Sequence, residues 1–159
     1  MGAGVVRGIQ TKKDGSSSGK IATVKHFATN NQEAMRNREN NVVDEKTLRA
    51  IYLKPFEIVV REAKPKAIMA SYNKLNGEYC STSKWLLTDV LRGEWGFDGL
   101  VMTDWWTAGD KNLHPAAGCD LTMPGVREER ERMLQALRSG AINRADLERA
   151  ASRVLRLAE

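Results

Sequence analysis

Three apolar runs in this sequence each end in side chains able to do chemistry. Residues 20–27 (KIATVKHF) close on Lys25 and His26 and lead into Asn30, Asn31, Gln32 and Glu33. Residues 67–72 (AIMASY) close on Ser71 and Tyr72, with Asn73 next. Residues 99–103 (GLVMT) are followed by Asp104, Trp105 and Trp106. Lysine and histidine donate hydrogen bonds to hydroxyl groups, carboxylates accept them, and an indole face packs on the apolar side of a pyranose. Singly, these residues have plainer explanations. A Lys-His pair at a strand end is more often structural, an aspartate behind a strand often caps a helix, and adjacent tryptophans can fill a core. Their convergence at three strand ends favours a carbohydrate site.

The runs that must position them alternate with helical patterns. Asp44 is placed to cap a helix over residues 45–63, where Leu48, Ile51, Tyr52, Ile58 and Val59 share one face and Pro55 predicts a kink. Asn76-Gly77 marks a turn, and Ser83 is placed to cap a helix reaching Arg92 that buries Trp85, Leu86, Val90 and Leu91. Residues 120–123 read as a brief fourth strand stopped by Pro124-Gly125. Two helices follow, over 126–139 and 145–157, the second capped by Asn143 with Asp146 three residues on. Residues 1–10 hold no apolar run long enough for a secretion signal. Residues 11–19 and the Asn-rich stretch 29–41 read as polar and irregular. This alternation predicts an α/β fold whose parallel strands are joined by crossover helices. Both an open doubly wound sheet and a barrel fit it. In either, ligands gather at the carboxyl ends of the strands, and no Gly-rich phosphate turn is present.

The length of 159 residues suits one domain with a core. The formal net charge is +5. Much of the excess lies in Arg127, Arg130, Arg132, Arg138, Arg144, Arg149, Arg153 and Arg156. These are interleaved with Glu128, Glu129, Glu131, Asp146 and Glu148, the pattern of a solvated helical face. No aromatic-basic stacking motif accompanies them, so no nucleic-acid partner is expected. No apolar run approaches the ~20 residues of a membrane-spanning helix, so no membrane partner is expected either. The location stays open, the missing secretion signal slightly favouring the cytoplasm. Cys80 and Cys119 lack metal-site spacing and read as buried thiols, with pairing left open. His26 and His114 form no ligand cluster, and neither a metal nor an organic cofactor is indicated.

Four segments in order resemble a known family. KHFATNNQE (25–33), IMASYNKLNG (68–77), LLTDVLRGEWGFDGLVMTDW (86–105) and GCDLTMPG (118–125) are similar to signatures of glycoside hydrolase family 3 enzymes of the β-glucosidase type. The resemblance covers nearly the whole chain. It implies the second half of a TIM-type (β/α) barrel, about four strands with crossover helices, as a single partial domain over residues 1–159. It implies Asp104 as the catalytic nucleophile. Lys25 and His26 match the pair that binds hydroxyls of the non-reducing terminal sugar. Met69, Tyr72 and Trp105 match residues lining that subsite. Glu33 and Arg36 fall in the first motif and read as structural. A Pro-Gly-His-Gly stretch after Lys-His-Phe marks the branch that removes N-acetylglucosamine. Here Ala28-Thr29-Asn30-Asn31 stands instead, which points to the β-glucosidase and β-xylosidase branch.

The implied chemistry is retaining hydrolysis of terminal β-D-glucosyl residues through a glycosyl-enzyme on Asp104. Lys25 beside the carboxylate would favour its charged form. The acid/base glutamate of this family comes from a separate domain, and Asp110, Asp120 and Glu33 are poor substitutes. An eight-stranded barrel takes roughly 200 residues or more, so the chain reads as a fragment, inactive alone. Its expected partners are a β-glucoside or oligosaccharide and either another half barrel or the rest of the enzyme. Two other readings stay open, a sugar-binding module without catalysis and a structural half barrel without ligand.

Overall fold

A parallel sheet organises the chain, as the computed structural model of residues 1–158 shows. Its strands are β1 (Thr23–Phe27), β3 (Ala67–Ala70) and β6 (Leu100–Thr103), in the order β1-β3-β6. Thr23 pairs with Ala67 and Val24 with Ile68, while Ile68 pairs with Val101 and Met69 with Met102. Because successive strand side chains point to opposite faces, Ile68, Ala70, Val101 and Thr103 share one face and are buried. The helices cover that face, so Phe27, Ile68 and Val101 pack with Leu48, Leu53, Leu86, Leu87, Val90 and Leu91 as the main core. Met69 and Met102 occupy the other face and are only partly buried.

The fourth strand shrinks to a single parallel bridge between Leu121 and Met102. Thr103 N–H donates to the Leu121 carbonyl, and Asp120 and Leu121 N–H groups reach the Val101 carbonyl. Pairing stops there because the next N–H, from Met123, takes the Thr103 hydroxyl and Pro124 has no N–H to offer. The other strands start or end one to three residues inside the expected bounds.

Asp44 caps the helical segment 45–63, accepting from Thr47 N–H at 2.9 Å. The segment is three windings in series, α2 (Glu45–Thr47), a wide π-type stretch Leu48–Leu53, and α3 (Lys54–Ala63). The break expected at Pro55 is thus a change of winding. Pro55 cannot supply an N–H to the carbonyl one turn back, and it lies in the first turn of α3, where none is needed. Residues Trp85–Glu94 are π-type throughout and run two residues past Arg92. Ser83 caps them weakly, accepting from Leu86 N–H at 3.4 Å.

Two features were invisible in the periodicity. The first is α1 (Gly2–Gln10), whose three glycines dilute its helical signal. Ala3 and Val6 bury against Val59, Ala63 and Ala22. Gln10 then clips the helix end to the sheet, its Oε1 accepting from the N–H groups of Ala22 and Lys66. The second is a small sheet of two-residue strands, β2 (Asn40–Asn41), β4 (Lys74–Leu75) and β5 (Glu78–Tyr79). The turn expected at Asn76-Gly77 joins β4 to β5 with φ of 50° and 94°, the left-handed pair that a tight hairpin requires.

Helices α4 (His114–Ala117), α5 (Arg127–Arg138) and α6 (Arg144–Ala158) complete the chain. Asn143 caps α6 through the Ala145 N–H at 2.9 Å. Arg144–Glu148 and Arg149–Asp146 form the surface pairs expected of a solvated face. Arg153 corrects that reading. It joins Arg92 in gripping Asp120, whose side chain is 1% exposed, with contacts of 2.8 and 2.7 Å. Asp120 also accepts from Val101 N–H, and Arg92 donates to the Gly99 and Gly118 carbonyls. One buried carboxylate therefore ties α6, residues 85–94 and β6 together. Cys80 and Cys119 are free and buried.

Candidate active site

Asp104 follows the last residue of β6, and its carboxylate is held from two sides. Trp105 N–H donates to Oδ1 at 2.7 Å. His26 Nε2, from β1, lies 3.2 Å from Oδ2. Both side chains stay open to solvent, 15% for Asp104 and 25% for His26. Tyr72, just past β3, donates its hydroxyl to the Trp105 carbonyl. Three neighbouring strands thus bring Asp104, His26, Tyr72 and Trp105 together at their carboxyl ends.

Electrostatics separates these groups. Burial pulls the His26 imidazole below its ordinary pKa, against the Asp104 carboxylate, which pulls it up. Burial first, then the Asp104 charge, raises the Tyr72 phenol. Both are therefore neutral near pH 7, an uncharged rim around the aspartate. Lys25 is exposed and makes no ion pair among the described residues, so His26, not Lys25, is the side chain in contact with Asp104.

Met69 lies on the open face of β3 beside Met102, inside the sheet rather than at its rim. Trp105 and Trp106 are 52% and 59% exposed, which removes their core explanation. Trp106 has φ +60°, a left-handed conformation uncommon for a bulky residue, and its N–H reaches the Met123 carbonyl at 3.3 Å.

Other residues brace this rim, among them Arg36 and Glu33, which the first motif marked as structural. Arg36 lies over the Tyr72 ring, 4.6 Å from its centroid, and pairs with Glu33 at 2.6 Å. The turn behind His26 is pinned at Ala28 and Thr29. Ser71 Oγ donates to the Ala28 carbonyl, Asn73 Nδ2 to Thr29 Oγ1, and Asn41 Nδ2 to the Thr29 carbonyl, each at 2.8 Å. Ser71 and Asn73 stood at a strand end in the sequence, whereas Asn41 lies in a stretch that reads as loop.

The remaining acidic candidates are committed elsewhere. Asp110 caps residues Lys111–Leu113 through the Asn112 N–H, Asp120 is gripped by two arginines, and Glu33 is exposed beside Arg36. No cluster of His, Cys, Asp and Glu able to hold a metal occurs among the described residues. Among them no helix is long and apolar enough to cross a membrane. The arrangement offers one solvent-reachable carboxylate, a neutral imidazole, a phenol and two indole faces.

Residues 1–157 match the family model described as the glycosyl hydrolase family 3 N-terminal domain. A β-glucosidase of Rhizobium radiobacter is 49% identical over 90% of this chain and 18% of its own length. An exo-α-(1→6)-L-arabinopyranosidase of Bifidobacterium longum is 43% identical over 97% of this chain and 19% of its own. The structure of β-glucosidase 3B from Thermotoga neapolitana with glucose superposes with a TM-score of 0.85 at 43% identity, over 87% of this chain and 21% of that one. The chain spans about a fifth of the length of these relatives. With a mixed α/β fold on a parallel sheet and a match from residue 1 to residue 157, the chain belongs to glycosyl hydrolase family 3, within that family's N-terminal domain.

Proposed function

We propose that this chain carries the nucleophile and part of the first sugar subsite of a retaining β-glucosidase. The observation behind this reading is the meeting of Asp104 and His26, from two strands, in a solvent-reachable contact of 3.2 Å. Asp104 attacks the anomeric carbon of a terminal β-D-glucosyl unit and forms a glycosyl ester. A second carboxyl, about 5–5.5 Å away in the assembled enzyme, protonates the leaving oxygen and later activates water. Every other acidic candidate in this chain being committed, that carboxyl comes from outside it, and the chain alone does not turn over. His26 and Lys25 donate to sugar hydroxyls. Tyr72, Trp105 and Met69 line the pocket.

The chain is, in this proposal, a single partial domain over residues 1–159, the second half of a (β/α) barrel. Two observations support it. The strand order β1-β3-β6 followed by Leu121 is sequential, with no reversal of the kind that defines a doubly wound sheet. The main core lies on one face, with Met69 and Met102 left on the other. A barrel arc has this one-sided cover, its inner face being completed by strands opposite.

Grafting residues 1–157 in place of the matching segment of the Rhizobium radiobacter β-glucosidase tests the reading. The graft is expected to hydrolyse an aryl β-glucoside and to lose this on Asp104→Asn. Sugar binding without hydrolysis by a folded graft would instead favour a non-catalytic binding role.

A further inference from the structure

We propose that Thr29 is a positioning residue of the sugar subsite. Its hydroxyl and its left-handed backbone, gripped by Asn41 and Asn73, set where His26 stands against Asp104. The role rests on the proposed subsite, in which His26 donates to a sugar hydroxyl.

Strand pairing does not fix His26. β1 runs in register with β3 at Thr23–Ala67 and Val24–Ile68, and pairing resumes only at Phe27–Ala70. Lys25 and His26 therefore stand opposite a single residue, Met69. An extra residue of this kind disrupts the local ladder and re-aims the side chains it carries. The aim of His26 must then be held from the turn that follows it.

That turn is strained. Thr29 is 4% exposed and has φ +63°. A β-branched residue there is an outlier, whereas glycine takes the conformation freely. Such a conformation persists only where the surroundings over-determine it, and such residues gather at functional sites. Here the surroundings are two amides. Asn73 Nδ2 donates to Thr29 Oγ1 at 2.8 Å. Asn41 Nδ2 donates to the Thr29 carbonyl at 2.8 Å and reaches Oγ1 at 3.3 Å. Asn31 N–H takes the same carbonyl at 3.0 Å. One residue earlier, Ser71 Oγ and Asn73 Nδ2 both reach the Ala28 carbonyl. Ala28, Ser71 and Asn73 are fully buried, which keeps water from competing for these bonds.

The small sheet gains a purpose from this grip. Asn41 lies in β2 and Asn73 just ahead of β4. The pairing of Asn40 with Lys74 and of Asn41 with Leu75 brings both amides to one hydroxyl. Glycine at position 29 would satisfy the backbone without strain, but it would leave both amides without that hydroxyl. Threonine thus supplies an attachment point three residues from His26.

A double-mutant cycle in the grafted β-glucosidase tests this. Thr29→Gly keeps the left-handed turn and removes the hydroxyl. It is expected to lower kcat/KM for an aryl β-glucoside by about tenfold or more, with the circular dichroism unchanged. Thr29→Ser keeps the hydroxyl and is expected to lose less than about threefold. In a His26→Ala background, Thr29→Gly is expected to cost less than about threefold, because the ring it positions is gone. Should Thr29→Gly not fold, Asn41→Ala, which frees the Thr29 carbonyl, goes through the same cycle with the same expectations. Equal losses with and without the imidazole, or a loss below about threefold with it present, would overturn the role of Thr29 and leave the subsite reading standing. A His26→Ala enzyme as active as its parent would overturn the subsite reading itself, and the role of Thr29 with it.

Discussion

Asp104 is oriented by two contacts from different parts of the chain, the N–H of its own neighbour and an imidazole from β1. In a complete enzyme carrying this segment, Asp104→Asn is expected to lower kcat/KM by about 10⁴-fold, as loss of a covalent nucleophile does, measured with an aryl β-glucoside. Tyr72→Phe removes the hydroxyl, with its bond to the Trp105 carbonyl and its interaction with Asp104. It is expected to cost about 1 kcal/mol of stability, read from denaturant melts, with a smaller loss of rate than Asp104→Asn. His114 gives a pH prediction away from the site. It is 1% exposed, its Nδ1 meets Thr122 Oγ1 at 2.8 Å, and its Nε2 has no partner. Burial lowers its pKa from 6.5 to about 4. The fold therefore favours the neutral ring. That stability is full above pH 6.5 and is lost as pH falls toward 4, roughly 3 kcal/mol in all. His114→Leu is expected to flatten this acid limb in melts taken from pH 7 to pH 4; an unchanged limb would assign it to other groups.

Among elements, β6 carries the aspartate and is the most heavily braced. The Asp120 clasp holds its Val101 N–H and joins it to α6 and residues 85–94. Asp120→Ala leaves two largely buried guanidinium groups without their counter-charge, and a loss of about 3–5 kcal/mol is expected in chemical denaturation. Gly99, one residue ahead of β6, has no room for a side chain. A Cβ there would meet the Lys66 carbonyl oxygen at 2.4 Å, so Gly99→Ala is expected to destabilise the β3–β6 pair, seen as a lower melting temperature. The long elements were legible because their apolar periods run far enough to show. Asp44 and Asn143 announced real caps. The two-residue strands β2, β4 and β5 are too short for any period, and α1 is diluted by glycine. Arg153 looked like one more surface charge, since its partner Asp120 lies 33 residues away.

At the scale of the whole molecule, the candidate site was more legible than the fold that builds it. His26, Tyr72, Asp104 and Trp105 stand at strand ends in the sequence, and those ends are neighbours in the sheet. Arg36 fell in the first motif and read as structural, in keeping with its place over Tyr72; the bracing by Asn41 depends on a contact between loops that no local pattern encodes. The chain spans about a fifth of its relatives, and the proposed chemistry needs a second carboxyl that its own acidic candidates do not offer. The most direct test is to trap the covalent intermediate in the grafted enzyme. A 2-deoxy-2-fluoro-β-glucoside with a good leaving group slows breakdown of the glycosyl ester, and peptide mass spectrometry then locates the sugar. One sugar is expected on the peptide containing Asp104, absent in Asp104→Asn. A sugar attached to any other residue, or steady hydrolysis by Asp104→Asn, would contradict it.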